Sequence, residues 1–286
     1  MQLPKRINKD QIKKAISFKK KDKIQIGNES LGLILSGGGA RGAYQIGSWK
    51  AMRELGMFSK VISAYGTSVG AINAASMAQG DFDTAFDLWS DLNYSRIFDD
   101  YESVSLSANY NPRAIYAVIK KLFQEKSLDV APLKELLHYH LDEQAIRESD
   151  IEFGLVTFDL TNRKRQYLSK ADIPEGELID YVIASASLYP IFPAHEISGH
   201  RYIDGGIADN RPVRFLKSNR QVKHALCIDL TSARHFWLKK GIREDLVIDY
   251  IIPSKLLGSP LAFDHDRIER NLHLGYHDFY EQVSSK

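Results

Sequence analysis

Apolar positions along this chain follow two different periods. Leu31-Gly-Leu-Ile-Leu35 is a short apolar run that ends at Ser36 and three glycines, the pattern of a buried strand entering a turn. The spacing then becomes helical: Tyr44, Ser48, Ala51, Met52 and Leu55 share one face, and Gly56 stops the segment. Residues 61–65 form a second apolar run, broken by Gly66, and residues 69–77 read as a helix of small side chains able to lie close on a sheet. Strand, helix, strand, helix is the rhythm of βαβ units, so a parallel sheet covered by helices is expected.

Farther along, residues 81–92, 112–124 and 132–141 show helical spacing with a plausible cap or first-turn proline. Residues 93–111, polar and rich in Tyr and Ser, read as a surface loop. Strands are expected at 151–159, 165–168, 201–203 and 224–230, and a helix at 177–186. From Thr231 the chain reads as an appended, mainly helical extension with a Pro/Gly break at 253–260. This divides the sequence into a basic arm (1–30), an α/β domain (31–230) and a C-terminal extension (231–286) packed on that domain.

With 44% hydrophobic and 26% charged residues, the 286-residue chain has a globular composition, which argues against a disordered or fibrous protein. A single cysteine, Cys227, excludes an intramolecular disulfide and favours a reducing compartment. No apolar run approaches the roughly 20 residues that span a bilayer, and the N-terminus lacks the apolar core of a secretory signal. A soluble, cytoplasmic protein is expected. Charge alters the picture at one place: residues 5–23 hold nine Lys and Arg against two Asp, a net +7 that leaves −5 for the rest of a chain of net charge +2. Such an arm, from Lys5 to Lys23, suits peripheral contact with an anionic membrane, although a solvated terminal tail has the same composition. Nothing that reads nucleic acid accompanies it, so nucleic acid is not an expected partner.

Three short segments carry candidate chemistry, each at the end of an expected strand. Gly37-Gly-Gly-Ala-Arg-Gly42 turns sharply and points backbone N–H groups at one spot beside a helix N-terminus, where a phosphate or a developing oxyanion could sit. It also fits G-x-G-x-x-G, but residues 61–68 lack the acidic residue that a dinucleotide site needs. Gly66-Thr-Ser-Val-Gly70 matches G-x-S-x-G between strand and helix, the turn that lifts a serine hydroxyl clear of the backbone. Asp204-Gly-Gly206 sets a carboxylate at a strand end, where it could serve a serine as base, and the same three residues suit an ordinary hairpin turn.

Together the three segments resemble the patatin-like phospholipases, serine acyl hydrolases with a Gly-rich oxyanion loop, G-x-S-x-G and a later D-G-[GA]. Ser185-Ala-Ser187 with Pro190 and Phe192-Pro193 resembles the stretch that the family places before its Asp strand. The resemblance covers about residues 31–230. It implies a three-layer α/β/α sandwich with a mainly parallel central sheet, a lipid ester substrate, and neither metal nor organic cofactor. It further implies Ser68 as nucleophile, Asp204 as base without a histidine, and an oxyanion hole at Gly37, Gly38 and Gly39 with Arg41. Gly42, Gly66, Gly70, Gly205 and Gly206 are the remaining motif glycines. Two alternatives stay open: a Ser-His-Asp esterase, for which His195 and His200 lie nearest Asp204 in sequence, and a catalytically silent lipid-binding module on the same fold. Oligomeric state is not legible.

Overall fold

A computed structural model describes residues 23–97, 130–231 and 243–285. After a short β1 (Ile24–Ile26), the apolar run Leu31–Leu35 is β2, buried along its whole length. Its side chains alternate as a strand requires: Leu31, Leu33 and Leu35 enter the main core, and Ile34 enters a smaller core on the opposite face. The glycine turn leads into α1 (Ala43–Glu54), and β3 (Val61–Thr67) with α2 (Val69–Gln79) repeats the unit. Next comes α3 (Phe82–Ser90), whose first turn is capped by Asp81 accepting from the Thr84 N–H.

The chain resumes with α4 (Ala131–His140), α5 (Glu143–Glu148), β4 (Glu152–Asp159), β5 (Lys164–Ser169) and α6 (Leu178–Ser185). It continues through β6 (His195–Ile197), β7 (His200–Asp204), β8 (His224–Ile228), β9 (Val247–Ile251), α7 (His265–Gln282) and β10 (Val283–Ser285).

Eight strands make one sheet in the order β6-β7-β4-β3-β2-β8-β9, with β5 also paired to β4. The run β4-β3-β2-β8-β9 is parallel, and β5, β6 and β7 join antiparallel. Helices and sheet form the expected α/β sandwich. The main core lies beneath the helical layer that includes α1 and α2. On the other face, the 3₁₀ turn Val213–Lys217 covers Ile34 and Tyr65, with Phe215 stacked on the Tyr65 ring at 4.5 Å. Among the described residues no helix is long and apolar enough to cross a membrane.

The C-terminal stretch departs from its helical expectation. Residues 247–251 form strand β9, which extends the parallel sheet beside β8 and buries Ile251 completely. Valine, isoleucine and tyrosine favour a pleated surface, and the neighbouring strand edge was invisible in the local pattern. Downstream, α7 is the long helix of this region and crosses α1 at very short range. A Cβ at Gly47 would lie 1.9 Å from the Leu272 carbonyl oxygen, and one at Gly275 would lie 1.9 Å from that of Tyr44. The pattern also passed over β1, which pairs in parallel with β10, and the short helix α5. The helix expected at 112–124, most of the loop at 93–111 and residues 5–22 of the basic arm lie outside the described residues.

Candidate active site

Ser68 sits between β3 and α2 with φ 58° and ψ −132°, a backbone conformation that side-chain-bearing residues seldom adopt. Two glycines make the turn possible. A Cβ at Gly66 would lie 2.0 Å from the Gly70 carbonyl oxygen, and one at Gly70 would lie 2.2 Å from that of Leu35. The Ser68 N–H donates to Ser185 Oγ at 3.0 Å, and the Ser185 hydroxyl donates to the Val156 carbonyl at 2.7 Å. Ser185, at the end of α6, thus ties the strained turn to β4. The sequence pointed to this serine as part of a stretch, without its role.

Asp204 closes β7, where its residue pairs with Thr157 of β4 and its N–H donates to the Ser187 carbonyl at 2.9 Å. Its carboxylate meets the serine directly: the Ser68 hydroxyl donates to Asp204 Oδ2 at 2.6 Å, and the Gly206 N–H donates to Oδ1 at 2.6 Å. Only 4% of Asp204 is exposed. Burial pushes its pKa up to about 6, against the opposing pull of those two hydrogen bonds. A buried carboxylate touching a hydroxyl can accept its proton, and the raised pKa makes it a stronger base than a solvated aspartate.

The glycine loop runs alongside. Gly37 is pinned, its N–H donating to the Asn210 carbonyl at 3.4 Å and its carbonyl accepting from Asn210 Nδ2 at 3.3 Å. The Gly38 and Gly39 N–H groups find no acceptor among the described residues. The Ala40 N–H donates to the Pro260 carbonyl at 2.8 Å, and Arg41 Nε donates to the Gly258 carbonyl at 2.9 Å. The Pro/Gly break in the C-terminal stretch is therefore a strap along the loop, a part of the site that sequence reasoning missed. Its only local signal was proline and glycine themselves.

Gly37, Gly38, Gly39, Arg41, Ser68, Asp204 and Gly206 all line one cleft of 410 Å³. Away from that polar end its walls are apolar, with Leu88 and Trp89 from α3, Leu133 and Leu137 from α4, and Phe192 and Phe263 from loops. Gly42, Gly66, Gly70 and Gly205 are placed behind the lining, in the turns that shape it. No histidine lines the cleft among the described residues. His195 Nε2 lies 2.7 Å from Asp180, and His200 Nδ1 lies 3.0 Å from Asn162 and 3.4 Å from Asp159. Burial also lowers the pKa of His195. No cluster of three or more metal-ligating side chains occurs among the described residues.

A mostly parallel α/β sandwich with a serine on a strand–helix turn, facing an aspartate beside a glycine loop, defines a recognisable class of protein. The chain belongs to the patatin-like phospholipase family, whose family model matches residues 33–217. It is 27% identical over 207 residues to the patatin-like phospholipase domain-containing protein ZK370.4 of Caenorhabditis elegans, and 26% identical over 224 residues to lysophospholipase NTE1 of Candida albicans. These matches take in 70% and 72% of this chain but only 14% and 13% of the two relatives. Among solved structures, VipD from Legionella pneumophila superposes with a TM-score of 0.54 at 17% identity, over 89% of this chain and 66% of that one, a likeness of fold.

Proposed function

We propose that this chain is a serine acyl hydrolase that cleaves carboxylic esters of lipids, a phospholipid or lysophospholipid, through an acyl-enzyme on Ser68. One observation carries the reading: the 2.6 Å contact between the Ser68 hydroxyl and the buried Asp204 carboxylate at the polar end of an apolar cleft. Asp204 takes the hydroxyl proton as Ser68 Oγ attacks the ester carbonyl. The carbonyl π electrons move onto oxygen, and that oxyanion is held by the Gly38 and Gly39 N–H groups, with Gly37 fixing the loop and the Arg41 cation adding positive charge. Collapse breaks the bond to the alcohol, which leaves with the proton from Asp204. Water, deprotonated by the same carboxylate, then attacks the acyl-enzyme, and the second collapse frees the fatty acid and restores Ser68.

The apolar walls suit an acyl chain, and family membership supports a lipid ester over other acyl donors. The basic arm supports peripheral binding to anionic membrane, with each Lys or Arg near such a surface contributing about 1 kcal/mol. Acyl-product analysis on a panel of phospholipids, lysophospholipids and neutral esters tests the reading. Wild-type protein should release fatty acid from lipid esters and a folded Ser68→Ala variant should release none. Equal release by the two proteins would refute it.

A further inference from the structure

Beneath the glycine loop lie two buried amides that do not themselves line the cleft. Asn73 on α2 and Gln45 on α1 are both fully buried, and neither lines the cleft. Asn73 Nδ2 donates to the Gly42 carbonyl at 3.1 Å and to Gln45 Oε1 at 2.8 Å, while Asn73 Oδ1 accepts from Trp89 Nε1 at 3.0 Å. Gln45 Nε2 donates to the Ser36 carbonyl at 2.9 Å and to the Ile228 carbonyl at 3.2 Å. All four amide N–H bonds of the pair are therefore used, and both amide oxygens accept.

The acceptors are the informative part. Ser36 is the residue before Gly37, and Gly42 is the last glycine of the loop, so the pair grips the loop at both ends. Ile228 closes β8 and fixes the grip to the sheet, and Trp89 links it to the wall of the cleft. A space-filling role would be served as well by apolar side chains, without the demand that every polar atom find a partner. A fully satisfied buried network instead fixes position.

We propose that Asn73 and Gln45 are positioning residues that hold the glycine loop so that the Gly38 and Gly39 N–H groups meet the developing oxyanion. The inference rests on the acyl-hydrolase reading and deepens it. Small displacements matter at such a site: an error of about 1 Å can cost roughly 100-fold in rate. The oxyanion exists only during reaction, so misplacement lowers kcat and leaves substrate binding largely intact.

The test compares wild type, Asn73→Leu, Gln45→Met and Trp89→Phe, each close in size to the original. Readouts are kcat and KM on a soluble short-chain ester, the rate of inactivation by an alkyl fluorophosphonate, and Tm. For folded Asn73→Leu and Gln45→Met, kcat and the inactivation rate should fall at least tenfold while KM stays within about twofold. If Asn73→Leu does not fold, Gln45→Met decides, since it keeps the Asn73–Gly42 bond and releases the Ser36 end, the tie to Ile228 and the acceptor of Asn73 Nδ2. Trp89→Phe, which frees Asn73 Oδ1 and also trims the cleft wall, should show a smaller fall in kcat, with KM raised. Variants with lowered Tm but wild-type kcat would overturn the proposal, because that is the signature of packing only. A wild-type protein that neither turns over esters nor takes the label would overturn the hydrolase reading, and the positioning role with it.

Discussion

Ser68 and Asp204 meet across 2.6 Å in a site where the carboxylate is buried. Ionising Asp204 there is unfavourable, and its rise from 3.8 to about 6 corresponds to about 3 kcal/mol. The sign follows from linkage. The folded protein holds this proton more tightly than the unfolded chain, so the penalty is absent below pH 3.8 and complete above about pH 6. Asp204→Asn, always neutral, should be nearly inactive and yet more stable than wild type at pH 7, with the Tm gap closing towards pH 4. A gap independent of pH would contradict the account of the buried charge. With Asp204 as the proposed base, kcat/KM should fall as pH drops through about 6, well above the ordinary carboxylate range near 4. His195→Ala should keep most of its activity, because that ring binds Asp180. A folded His195→Ala protein as inactive as Ser68→Ala would restore the triad reading. At this scale the sequence was informative where chemistry needs a rare local pattern, as at Ser68 and Asp204. It marked Ser185 as part of a stretch without a role, and it was silent on Asn210, Asn73 and Gln45, which have partners far away along the chain.

Elements place these groups through close approach, and glycine is what permits it. A side chain at Gly38 would meet Leu230 at 2.9 Å. Gly38→Ala should therefore shift the loop and lower kcat by about 10²–10³, the usual loss for one oxyanion donor. A change confined to KM would point to a simple binding loop. The α1–α7 crossing gives a stability counterpart. Gly275→Ala would drive a methyl into the Tyr44 carbonyl at 1.9 Å and should destabilise the fold by at least about 2 kcal/mol in chemical denaturation. An unchanged midpoint would mean that the helices separate readily. The strand–helix rhythm through β3 and α2 was legible because each element carries its own period. The strand at 247–251 was not, since five residues of mixed pattern become a strand only against the free edge of β8. Nor could local pattern show that Gly258 and Pro260 would lie along the glycine loop.

For the molecule as a whole, the matched family region ends at residue 217, yet Pro260, Leu261 and Phe263 also line the cleft. Removing the arm at 5–22 should weaken binding to anionic vesicles at low salt and leave turnover of soluble esters nearly unchanged. Equal vesicle binding by truncated and full-length protein would reduce the arm to a solvated tail. An acyl group carried on Ser68 can be detected directly. Intact-protein mass spectrometry, on samples quenched early in turnover of a slowly deacylated ester, reads the covalent intermediate itself. Wild type should gain the mass of one acyl group, mapping by peptide fragmentation to Ser68, and Ser68→Ala should gain none. An adduct on another residue, or ester turnover by folded Ser68→Ala at the wild-type rate, would contradict it.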